Sequence, residues 1–108
     1  MNKHEIEQKL KRNCQVRGLE YSDEVYSDEI ENAIEALNER RGFIPTEDKA
    51  YEDKYSNLIY KMALYAITKM GAEGELSHQE NNISRTYQSA SDYPQDLMNQ
   101  ITPLVRGV

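Results

Sequence analysis

The residues able to carry out chemistry are few and scattered. The chain has two histidines, His4 and His78, and a single cysteine, Cys14. Neither histidine has a sequence neighbour that completes a hydrolytic triad or a metal pair. On an extended strand His78 and Glu80 would share one face, yet one imidazole and one carboxylate do not make a metal site. Gly71 and Gly74 lack the Gly-Lys-Ser/Thr that follows in a phosphate-cradling loop. A lone cysteine permits no internal disulfide, and a reducing compartment is the expected setting. The spacing predicts no enzyme, no catalytic residue, no metal site and no cofactor.

Charge narrows the possible partners. Asp and Glu outnumber Lys and Arg by 19 to 13, for a net charge of −6. Neutralising phosphates requires clustered Lys and Arg, so an acidic balance argues against a general binder of nucleic acid or anionic membrane. Lys9, Lys11, Arg12 and Arg17 form the only basic cluster of note and read as a solvated helix end. The segment Met1–Lys11 is too charged for a signal peptide. The longest apolar run, about ten residues with a lysine inside it, falls short of the ~20 needed to cross a bilayer. The expectation is a soluble intracellular protein with no membrane contact. Its 108 residues suit one domain, 1–108, with one core.

The elements that would position these residues are helices. Ile6 and Leu10 mark a short first helix over His4–Lys11, which Gly18 separates from the next. Ser22 and Ser27 are alternative N-caps for a second helix ending near Arg40–Arg41, closed by Gly42. Its apolar stripe is Tyr26, Ile30, Ala33, Ile34 and Leu37, with Asp28, Glu29, Glu31 and Glu35 expected to face water. Phe43, the only phenylalanine, is expected to plug the junction with the third helix.

That third helix organises the chain. Thr46 reads as its N-cap, with Glu47 and Asp48 in the first turn and Gly71 closing it. Tyr51, Tyr55, Leu58, Ile59, Met62, Tyr65, Ala66 and Met70 recur at three- and four-residue steps. A second stripe, Tyr60, Leu64 and Ile67, leaves the helix apolar nearly all round. Such a helix must be covered nearly all round. A chain this short has few other elements for that, so the second stripe is assigned to a subunit interface.

After Gly71 the character changes. Asn81-Asn82 can turn a two-residue hairpin between Leu76–Glu80 and Ile83–Tyr87, a hairpin that alone would be marginal in water. Pro94 suits the first turn of a last helix, whose Leu97, Met98, Ile101 and Leu104 share a face until Pro103 ends or kinks it. The expected fold is all-α. It is a small bundle of three to four helices around one long central helix, with a β-hairpin or loop before the last. Eight tyrosines against one Phe and no Trp favour a protein that self-associates, since tyrosine suits interfaces.

The stretches ERRGFIPTEDKAYEDKY, GAEGELSHQENNISRTY and YPQDLMNQITP, within residues 28–103, resemble the small head–tail connector (adaptor) proteins of tailed bacteriophages and prophages. The resemblance implies a structural adaptor and no enzyme. Copies, about twelve, would close into a ring through a heterologous interface. Such a ring would sit under the portal protein, receive the stopper or tail-completion protein below, and let DNA pass without specific binding. Assembly would occur in the host bacterial cytoplasm, with the finished ring in the virion. On this reading Tyr60, Leu64, Ile67, Glu75, Arg85 and Tyr87 form the subunit interface. Ser77, His78, Gln79, Glu80, Asn81 and Asn82 form the channel loop. Leu104, Val105, Arg106 and Val108 dock on the portal. An acidic lining would repel phosphates and let DNA slide. The alternative is a small acidic helical regulatory or DNA-packaging accessory protein.

Overall fold

The structure, a computed structural model, describes residues 1–73 and 93–104. Among the described residues there are four α-helices and no strand: α1 (Lys3–Val16), α2 (Asp23–Arg41), α3 (Ser56–Glu73) and α4 (Gln95–Met98), with a 3-10 turn at Asp53–Tyr55 before α3. The buried side chains make a small helical bundle with one continuous core. The expected hairpin over 76–87 lies outside the described residues.

Helix α1 begins at a capping box. The Asn2 side chain accepts the Glu5 amide at 2.8 Å, and the Glu5 carboxylate accepts the Asn2 amide at 2.9 Å. Five residues longer than the expected His4–Lys11 at its far end, it buries Ile6, Leu10 and Cys14, a four-residue repeat that faces the core. Burial pushes the Cys14 thiol up, against the opposing charge of Arg17, so the thiolate is disfavoured.

Helix α2 starts after Ser22 and ends at Gly42, whose φ of 82° is open to glycine at little cost. Tyr26, Ile30, Ala33 and Leu37 are buried as the stripe predicts, and Ile34 is half-buried. Glu29 is a correction: it is buried, on the flank of the stripe, rather than facing water.

The start of α3 is a second correction. Thr46 does accept the Lys49 amide through Oγ1 at 3.1 Å, as an N-cap would. That turn closes on itself, with backbone bonds from Thr46 to Lys49 and back, and propagates no further. Long-range ties then hold the chain out of the helix: Asn38 Nδ2 donates to the Ala50 carbonyl, and Tyr51 Oη donates to the Met1 carbonyl. Tyr51 and Tyr55 are buried, but the helix opens only at Ser56 and runs past Gly71 to Glu73. Its 18 residues span about 27 Å, not the roughly 36 Å that a helix from Thr46 would need. Phe43 is half-exposed and is not among the residues packed on the core, so it does not plug the junction.

The second stripe of α3 is covered within the protomer. Tyr60 is 7% exposed and Ile67 is fully buried, while Leu64 is half-buried against the core. Helix α1 lies along this side: Asn13 Nδ2 donates to Tyr60 Oη at 2.7 Å, and Lys9 Nζ sits 4.5 Å from the Tyr60 ring centre. Tyr60 and Ile67 thus belong to the internal core rather than to a subunit interface. Ile67→Ala should lower the unfolding free energy of the dilute chain by about 2–4 kcal/mol. Urea denaturation at two protein concentrations checks this, since an inter-subunit contact would make the loss depend on concentration.

Candidate functional site

The candidate site is the end of α2, where the chain's last described segment is clamped. Arg41 occupies the last turn of α2 with its side chain only 10% exposed. Its guanidinium meets Glu52 in a forked pair, Nε to Oε1 at 2.7 Å and Nη2 to Oε2 at 3.3 Å. The third nitrogen, Nη1, donates to the Thr102 carbonyl. The guanidinium also stands 5.5 Å from the Tyr55 ring centre. A planar fork with fixed donors suits this arrangement, which a lysine could not reproduce.

Neighbouring groups extend the clamp. Arg40 Nε donates to the Met98 carbonyl at 3.1 Å, the Thr102 amide donates to Tyr55 Oη at 3.2 Å, and the Leu104 amide donates to the Arg41 carbonyl at 2.8 Å. Met98 and Ile101, each 2% exposed, anchor the segment from below. These bonds explain why the last helix is four residues long rather than reaching Pro103. The Asn99, Gln100 and Ile101 amides still bond back to Gln95, Leu97 and Met98, but from Thr102 on the backbone pairs with Tyr55 and the end of α2. Leu97 is half-buried and Leu104 is 42% exposed, so the expected single apolar face splits.

Of the residues expected to meet the portal, Leu104 is exposed at the end of this segment; Val105, Arg106 and Val108 lie outside the described residues. Glu75, Arg85, Tyr87 and the loop Ser77–Asn82 also lie outside them. The sequence reading missed Arg41, Glu52 and Asn38 as a group. Arg41 carried a signal only as a last-turn cation, and its partners are 11 and 61 residues away. Exposed Ile44, at 77%, continues the apolar end beyond Gly42.

No group of three or more His, Cys, Asp and Glu able to hold a metal occurs among the described residues, and among them no helix is long and apolar enough to cross a membrane. The clamp presents an apolar edge, with Leu104 and Ile44 exposed beside it. Comparison with protein-family models, curated proteins and solved structures found no match.

The ion pair has a pH signature. Hydrogen bonding to Arg41 holds the Glu52 carboxyl below its usual value, and the same bond raises Arg41. Folding therefore favours ionised Glu52. Its contribution is fully present above the ordinary carboxylate value and is lost as pH falls through the lowered native one. Glu52→Gln should destabilise the protein at neutral pH, because it strips a buried guanidinium of its counter-charge, and should flatten the acid limb of stability against pH. Denaturant midpoints for both proteins at neutral and acid pH measure this; parallel curves would contradict it.

Proposed function

We propose that this chain is a structural head–tail adaptor of a tailed phage or prophage. Copies form a ring beneath the portal, join the DNA-filled head to the stopper or tail-completion protein, and line part of the channel through which DNA passes. The reading is carried by the connector-like sequence of residues 28–103. A small helical bundle supports it, as does a terminal segment that fixes an exposed leucine in place. In this role Leu104, with Val105, Arg106 and Val108, meets the portal. The loop Ser77–Asn82 faces the channel. Leu64, Glu75, Arg85 and Tyr87 contribute to the contact between copies. Assembly takes place in the bacterial cytoplasm, and the ring ends in the virion.

The test mixes purified protein with portal-bearing, DNA-filled heads and images the portal vertex by electron microscopy. Ring density under the portal is the expected result. Leu104→Glu should reduce attachment by about tenfold, the loss of roughly 1.4 kcal/mol of apolar contact per copy, without moving the melting midpoint. Salt-dependent binding to duplex DNA with no attachment to portals would overturn the adaptor reading in favour of an accessory protein.

A further inference from the structure

Two outward helix faces of opposite charge stand on this small bundle. On α2, Asp28, Glu35 and Glu39 are exposed along about 16 Å of helix. On α3, Lys61 and Lys69 are exposed about 12 Å apart. None of the five forms an ion pair among the described residues, where the pairs are Lys3–Glu31, Lys11–Asp23 and Arg41–Glu52. Between the two lysines lie Leu64 and Tyr65, apolar side chains that the core covers only in part.

We infer that these faces are the two halves of one contact between copies of this chain, the acidic α2 face of one copy seated on the lysine face of α3 in another. Acid face on acid face or lysine face on lysine face sets like charges together, so a contact between copies pairs the α2 face of one with the α3 face of the other. A groove of about 480 Å³ beside α2 fits the same partner. Glu35 lines it together with Ile34, Pro45 and Ala50, so a lysine stem can lie on apolar surface while its ammonium meets a carboxylate. The neighbouring Glu31 is already paired with Lys3, which leaves Glu35 as the open acceptor. The pairing of the two faces stands on their charges; its repetition from copy to copy into a closed ring rests on the adaptor reading above.

The experiment is charge exchange, read by sedimentation. Wild-type chain at high concentration should self-associate at low salt and dissociate as salt screens the contact. Lys61→Glu with Lys69→Glu should weaken association at least about tenfold, and Asp28→Lys with Glu35→Lys should do the same. All four positions are exposed, so circular dichroism should show both variants folded. Mixing the two variants should restore assembly, because each then offers the other a complementary face. Variants that assemble like wild type, a mixture that stays dissociated, or a wild type that is monomeric at low salt would each overturn the inference. None of those results removes ring density at the portal vertex, so the adaptor reading is judged separately.

Discussion

A guanidinium keeps its charge at any ordinary pH and carries five donors in a rigid plane, so burying one demands acceptors on several sides. Arg41 is buried at the end of α2, and most of the unusual backbone nearby follows from satisfying it. Glu52 supplies the counter-charge, and to do so its backbone is extended, at φ −82° and ψ 126°. A residue in that region cannot sit inside a helix, so the chain from Thr46 to Glu52 is barred from lengthening α3. Thr102 supplies the other acceptor, which draws the terminal segment across α2 and prevents α4 from continuing. One side chain thus sets the start of one helix and the end of another.

The second constraint is the cover that α3 requires. With apolar residues nearly all round, it can be stable in water only as the middle of something. Helix α2 takes one side and α1 takes the other. Tyr60 shows how the α1 side is made tolerable to polar groups: its ring is buried while its hydroxyl accepts from Asn13 and its face meets Lys9. Helix α1 is short for independent stability, so its persistence depends on this packing as much as on its capping box. What α3 leaves uncovered is narrower than its sequence implies: parts of Leu64 and Tyr65, with Lys61 and Lys69 exposed beside them.

How far the sequence discloses this varies by element. Helix α2 is legible in its bounds and its stripe, because the apolar spacing, terminal arginines and glycine agree with one another, but not on its flank, where Glu29 is buried. The far half of α1 is hidden because Cys14 is easily read as a reactive group rather than as a small apolar one. The start of α3 misleads because the local signal at Thr46 is real; it makes one turn, and ties from Asn38, Arg41 and Met1 then override it. The all-round apolar pattern correctly demands cover, but nothing in periodicity says whether that cover comes from α1 or from another copy. The Arg41 clamp is the least legible part, since a last-turn arginine looks like any dipole partner until its distant acceptors are in place.

The exposed apolar end then acquires a physical reason. Helix ends leave carbonyls without intrahelical partners. The Arg41 carbonyl is one of them, and the Leu104 amide satisfies it. Capping α2 therefore fixes where Leu104 sits, over Gly42, where an added Cβ would stand 4.0 Å from the leucine Cβ. Ile44, two residues beyond the left-handed Gly42, is also exposed. An apolar contact held this way loses little further freedom when a partner covers it, which is the main cost that weakens binding by loose tails. Any side chain at Gly42 would be strained at φ 82°, so the residue that ends α2 also governs the apolar surface around Leu104.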